Sequence, residues 1–253
     1  MNFIGVLAFI EKETSKMRHL GAQILFAPWV SALLYILIFG QVVGQRIGEI
    51  SGVTYIDFVV PGLLMMNIMQ SAFGHASSVL YFNRFIGSIN ELITAPFSYF
   101  EIIIGFLVSS LIRVLVIGGG VYVIALLFTV TTVNHFFLFL FYVISSSIVF
   151  ALAGLLVGLW AEHFEHLAIP TIFIIMPLTF LGGVFNSIYM LPEKLQIFAY
   201  FNPFFYFIDG MRYSMIGISE SNRTAGILFI LTLILVLGAW VWKLFKIGYK
   251  IRN

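Results

Sequence analysis

The chain has 253 residues, of which 61% are hydrophobic and only 9% charged, with a mean hydropathy of +1.06; this balance excludes an ordinary soluble domain and marks a polytopic membrane protein. A net charge of +2, with Lys and Arg gathered toward the two ends, excludes a nucleic-acid surface. With no cysteine, disulfides, thiolate metal sites and catalytic thiols are excluded as well.

Met1 to Gly21 lacks an apolar core followed by small residues, so no removable secretion signal is expected. Phe3, Val6 or Leu7, Ile10, Met17 and Leu20 recur near helical spacing against Glu11, Lys12, Lys16 and Arg18. That pattern predicts either a helix lying along the membrane surface or a plain basic flank. A hydrocarbon core of about 30 Å needs roughly 20 apolar helical residues. Six stretches meet that demand, near 22–43, 55–82, 102–130, 135–159, 167–185 and 224–245. Six spans put both termini on one side. Lys12, Lys16, Arg18, Arg84, Lys243, Lys246, Lys250 and Arg252 then make eight basic residues on that side, against four on the other, Arg46, Lys194, Arg212 and Arg223. Both termini are therefore expected in the cytoplasm. One integral domain over 1–253 is expected, without a soluble domain or internal repeat.

Several polar residues need an account. His75, in the second span, has no assignable carboxylate partner and reads as a helix-packing hydrogen-bonding residue rather than a proton relay. After that span, Phe85, Ile86, Ile89, Leu92 and Ile93 fall at helical spacing while Arg84, Asn90 and Glu91 stay polar, until Pro96 stops the pattern. This predicts a short amphipathic helix beneath the membrane. Arg113 lies about 16 Å along the third span from Ile102. It either lines a translocation path and holds an anionic head group, or it serves the fold by snorkelling, meeting helix-end carbonyls or pairing with an acid; the structural account is preferred. Gly118, Gly119 and Gly120 read as packing positions, and Gly154 with Gly158 forms a small-xxx-small pair usable within or between protomers.

Glu162, His163, Glu165 and His166 are neither H-E-x-x-H nor H-x-x-E-H, and no further ligand is indicated, so a solvated turn or partner contact is expected in place of a metal site. The apolar run from Leu167 passes through Gly182, Gly183 and Phe185 and then breaks up. Between Asn186 and Arg223 it carries Pro192, Pro203, Lys194, Asp209 and Arg212 among Phe and Tyr. Charges and prolines argue against a simple buried helix, and the aromatics argue against a solvated loop. A segment that dips into the membrane face and returns is expected.

No G-x-x-x-x-G-K-[ST] loop exists, nor any Gly-Lys pair, so the chain cannot hydrolyse ATP by that route and is not expected to be an enzyme. Ion coupling lacks an acid at membrane depth, since Asp57 and Glu101 sit at span ends. No Ser/His/Asp motif supports hydrolase chemistry.

Three segments together resemble the type-2 permeases of ATP-binding-cassette exporters, the small bacterial inner-membrane subunits. They are Tyr55-Ile56-Asp57-Phe58-Val59-Val60-Pro61-Gly62-Leu63, Asn90-Glu91-Leu92-Ile93-Thr94-Ala95-Pro96, and Pro177 to Phe185 followed by Leu191-Pro192, Phe201-Asn202-Pro203 and Asp209-Gly210-Met211-Arg212-Tyr213. The resemblance implies an all-α polytopic protein with six transmembrane helices, an N-terminal interfacial helix, a cytoplasmic coupling helix and re-entrant extracytoplasmic helices before the last span. It implies pairing with a second permease, usually a copy of itself, and with two cytoplasmic ATP-binding subunits that hold the ATP and magnesium. No cofactor is expected on this chain. Arg84, Phe85, Asn90, Glu91, Leu92 and Pro96 would then belong to the coupling helix, with Glu162 and Glu165 in a smaller second contact. Phe180, Gly182, Gly183, Phe185, Asn202, Pro203, Tyr206, Asp209 and Arg212 would close the outer mouth. The competing reading within transport is a channel or secondary carrier that works without ATP.

Overall fold

The computed structural model describes residues 3–19, 21–94, 97–129 and 132–251. Helix α1 (Phe3–His19) is followed by α2 (Gly21–Tyr35), which runs through a π-helical stretch, Ile36–Val43, into α3 (Gly44–Ile47). A two-residue hairpin follows, β1 (Glu49–Ile50) antiparallel to β2 (Val53–Thr54), with Glu49 opposite Thr54. The apolar periodicity predicts no strand there. Ser51 and Gly52, with φ of 53° and 82°, supply the two positive values that a tight hairpin turn requires.

Next come α4 (Tyr55–Phe85), α5 (Ile89–Thr94), α6 (Tyr99–Leu126) and α7 (Phe136–Trp160). The fifth apolar stretch is irregular: a 3-10 turn (Phe164–Leu167), α8 (Ala168–Pro170), a π-helical turn (Thr171–Ile175) and α9 (Met176–Leu181). Pro170 and Pro177 lack the N–H that a regular ladder needs, and the changes of helix type cluster around them. Beyond a 3-10 turn (Ile188–Met190) lie α10 (Glu193–Phe201), α11 (Pro203–Ile216) and α12 (Arg223–Ile247).

Among the described residues, six helices are long and apolar enough to cross a membrane: Leu25–Ile47, Tyr55–Phe85, Tyr99–Leu126, Phe136–Trp160, Phe164–Leu181 and Arg223–Ile247. They match the six expected stretches one to one, with shifted ends. The fifth stops at Leu181 rather than Phe185 because Gly183, at φ 86°, leaves helical geometry. The third begins earlier because Ser98 and Glu101 form a capping box, with the Ser98 N–H donating to Glu101 Oε2 at 2.7 Å.

Helix α4 is apolar on nearly every side, so it can satisfy itself only at the centre, where α6, α7 and α11 pack around it. Gly154 and Gly158 bring α7 against it. A Cβ on Gly154 would lie 2.5 Å from the Phe73 carbonyl, and one on Gly158 would lie 2.8 Å from that of Ser77. The small-xxx-small pair thus serves packing inside one protomer. Gly118 likewise meets Ile68, and Gly120 lies under the Trp29 indole, while Gly119 faces open space.

Helix α1 docks on α6. Phe9 fills the space over Gly105 and meets Phe106 edge-on at 5.1 Å. Val6 and Phe9 are buried on that face. Leu20 and the side chains of Phe3, Lys16, Met17 and Arg18 lie outside the described residues.

The helix expected over residues 84–96 is two pieces. Arg84 and Phe85 are in the last turn of α4, a turn with Gly87 at φ 83° follows, and α5 then covers Ile89–Thr94 among the described residues. The apolar residues do not share one face: Ile89 is buried, whereas Phe85 and Ile86 are each 74% exposed. The spacing was helical, but glycine in the left-handed region changes the chain direction between the two halves.

Candidate functional site

Two regions at opposite ends of α4 gather most of the polar residues singled out by the sequence. At its N-terminal end, Pro192 and Pro203 stand at helix starts, where a missing N–H costs nothing. Asn202 caps α11 by accepting from the Phe204 N–H, and its Nδ2 donates to the Leu178 carbonyl at 2.5 Å, fastening α11 to α9. Gly182 lets the α11 backbone approach, since a Cβ there would lie 3.1 Å from Phe205 N.

The charges sit inside this cap. Arg212 is fully buried; its Nη2 donates to the Gly183 carbonyl at 2.5 Å, its Nε donates to the Phe58 carbonyl at 3.2 Å, and its guanidinium lies 3.7 Å from the Phe58 ring centre. Glu220 and Asp209 supply nearby negative charge. Asp209, also fully buried, accepts from Ser219 Oγ at 2.9 Å, Glu220 N at 2.7 Å, and Ser221 N and Oγ at 3.1 and 2.5 Å. It thereby builds the turn from α11 to α12. Glu220 accepts from the Ile188 N–H at 3.0 Å, which ties that turn to the 3-10 segment.

The Gly183–Phe185 loop closes on α4 as well. Tyr55 donates to the Phe185 carbonyl at 2.9 Å, and Gly62 leaves room for the Val184 backbone, whose oxygen would lie 2.9 Å from a Cβ. The Phe185 ring stacks on Phe39 at 4.0 Å and on Phe180 at 5.5 Å. Tyr206 bonds the Tyr200 carbonyl at 2.8 Å, bridging α11 to α10. All nine residues expected at the outer mouth therefore lie in one contiguous region.

At the other end of α4 the arrangement is looser. Arg84 turns inward: Nη1 donates to the Gly158, Leu159 and Ala161 carbonyls at 2.7, 2.9 and 3.2 Å, and Nε donates to the Lys250 carbonyl at 2.8 Å. It neutralises the carbonyl end of α7 and holds the chain after α12. Phe85, Ile86, Asn90, Glu91, Phe164, Glu162 and Glu165 remain exposed around it. Glu91 reaches Lys12 of α1 at 4.0 Å, and Lys250 donates to Glu162 at 2.7 Å. That hydrogen bond, followed by the charge of Lys250, holds the Glu162 carboxyl below its ordinary pKa. His166 stacks on Trp160 at 5.2 Å. The Leu92 side chain and Pro96 lie outside the described residues.

Between the ends, Arg113 Nη1 approaches His75 Nδ1 at 3.3 Å, joining α6 to α4 at membrane depth. The two deep ionisable groups that the sequence left apart thus face each other.

The model of the ABC-2 type transporter family matches residues 5–216. The chain is 32% identical to the inner membrane transport permease YadH of Escherichia coli K12, over 99% of this chain and 98% of that protein. The chain belongs to the ABC-2 type transporter family. It is also 23% identical to nodulation protein J of Rhizobium leguminosarum bv. viciae, over 75% of this chain and 74% of that protein.

In this ABC-2 transporter, sequence reasoning named Phe58, Tyr55 and Gly62 on α4 only as part of a family motif, without a role at the site, and missed Ser219, Glu220 and Ser221 beyond α11. A partial signal existed. Glu220 between two serines, just after Gly217 in the left-handed region, has the composition of a turn that a buried acid can order.

Proposed function

We propose that this chain is the membrane subunit of an exporter powered by ATP hydrolysed in a separate cytoplasmic subunit, present in two copies beside a second copy of this permease. The observation that carries the reading is α4, one buried 31-residue helix, roughly 46 Å long, that joins the knitted cap to an exposed end. Its first turn is held by Tyr55 and by Arg212 at Phe58; its last turn carries Phe85, and α5 follows. A push on α5 reaches the cap through a continuous helix.

On this reading Phe85, Asn90, Glu91, Leu92 and Pro96 form the surface that docks the ATP-binding subunit, with Glu162 and Glu165 beside it and Arg84 shaping it from within. Phe180, Gly182, Gly183, Phe185, Asn202, Pro203, Tyr206, Asp209 and Arg212 form the extracytoplasmic gate, α10 and α11 being the re-entrant pair. Arg113 and His75 either border the path or brace α4 against α6. Helix α1 lies at the cytoplasmic membrane surface, both termini are cytoplasmic, and residues 1–253 form one permease domain. The name of the E. coli relative supports an inner-membrane location. ATP and magnesium stay in the partner. The substrate class is amphipathic, lipid-linked, drug-like or polysaccharide. To move the permease decisively between two states, partner binding must favour one by about 5.5 kcal/mol.

The test is ATP hydrolysis and transport by the permease purified with its candidate ATP-binding subunit in lipid, comparing the native chain with Glu91→Arg and Pro96→Ala. Co-purification with hydrolysis that no longer drives transport in the variants is expected. Substrate flux driven by an ion gradient with no ATP-binding subunit present would overturn the reading.

A further inference from the structure

A cavity of about 580 Å³ lies between the first turns of α7 and α12, lined by Leu138 and Tyr142 on one side and by Ser221, Arg223, Thr224 and Ile227 on the other. Its donors are unusually free. Tyr142 is only 2% exposed, its ring is fixed across Gly210 where a Cβ would collide with it, and its hydroxyl makes no hydrogen bond among the described residues. The hydroxyl of an otherwise buried ring, opening into a cavity without a protein partner, is a donor available to an acceptor that enters it.

Arg223 supplies a positive charge at the same place. Its guanidinium stacks 4.0 Å from the Tyr213 ring centre, and Tyr213 stacks in turn on His135 at 5.0 Å. Among the described residues Arg223 has no salt-bridge partner. Asn222 caps α12 by accepting from the Ala225 N–H, which leaves the N–H groups of Arg223 and Thr224 without an intrahelical acceptor at the positive end of a 25-residue helix. Asp209, the acid in electrostatic range of Tyr142, has both oxygens filled by the Ser219–Ser221 turn and does not compete for these donors. Below Thr224, exposed Leu228, Leu231 and Leu235 continue the same helical face.

We propose that this corner binds a phosphate-bearing anionic head group, with Arg223, the Tyr142 hydroxyl and the first N–H groups of α12 as donors and the leucine face taking an acyl chain. Phosphate fits because it offers several strong acceptors to donors that converge from two helices. The acyl track favours a phospholipid over a soluble phosphate.

The full-length protein, reconstituted in phosphatidylcholine with a minor fraction of phosphatidylglycerol and then delipidated stepwise, is examined by native mass spectrometry. Preferential retention of phosphatidylglycerol is expected, with apparent affinity falling about tenfold in Arg223→Gln and about threefold in Tyr142→Phe. Arg46→Gln, which removes an exposed cation outside the cavity, leaves retention unchanged. Displacement by glycerol 3-phosphate identifies a soluble phosphate compound as the ligand; resistance to it identifies the lipid. Should Arg223→Gln fail to fold, Tyr142→Phe and Thr224→Val carry the same comparison. Equal retention of the two lipids by the native chain, or native-like retention in the folded variants, overturns the proposal.

Discussion

The two ends of α4 differ in how much of their charge they leave exposed. At the cap, Arg212 and Asp209 are fully buried and bonded to backbone. At the α5 end, Arg84 is turned inward, Glu101 is buried in the Ser98 capping box and Glu13 is buried on α1, while Glu91, Glu162 and Glu165 stay in contact with solvent. Buried charges hold one geometry strongly because losing a partner leaves an uncompensated charge; exposed charges contribute little to stability and are free to meet another molecule. The cap is therefore held in one geometry, and the α5 end carries the exposed charges that the proposed function assigns to partner contact.

The sharpest way to break that contrast is Arg212→Ala, which removes two backbone hydrogen bonds and a ring contact from a buried position. A loss of about 3–5 kcal/mol in unfolding free energy in detergent is expected. Next is Gly158→Leu, which forces α7 away from the Ser77 carbonyl and should cost about 1–3 kcal/mol, read as a lower melting temperature. Arg84→Gln leaves the α7 carbonyls without their cation and should cost about 1–2 kcal/mol. Glu91→Arg disturbs only an exposed pair with Lys12, so stability should stay within about 0.5 kcal/mol while ATP-driven transport falls. Loss of folding in Glu91→Arg to the extent seen for Arg212→Ala would erase the contrast.

The smallest effect belongs to Glu162. Its folded pKa is depressed by Lys250, so the contribution is complete above the ordinary carboxylate value of 4.5 and is lost as pH falls through the lower folded value. Melting temperature below pH 4.5 should fall slightly less steeply in Glu162→Gln than in the native chain. Identical slopes would show that the Lys250 contact is not maintained in solution.

Membrane crossing is written locally: each of the six spans is a run of apolar residues whose length alone meets the bilayer requirement, so composition located them without knowledge of their neighbours. Turn chemistry was legible in part. Pro203 and Asn202 mark the start of α11 by residue type, whereas Gly87 hid inside an apolar repeat and split a helix that spacing alone had joined. The cap residues were legible as a group because charges and prolines interrupt aromatic sequence, yet nothing local says that Arg212 faces Phe58, 154 residues away.

By itself, then, the sequence determined the solvent of this protein, the number of its spans and the places where helices had to stop, since hydropathy, proline and helix capping act over a few residues. Tertiary structure alone decided which span lies at the centre, that Gly154 and Gly158 pack within the protomer, and where the buried charges find their acceptors. Those outcomes depend on close approach between segments distant in the chain, where a missing Cβ or one accessible carbonyl determines which contacts form.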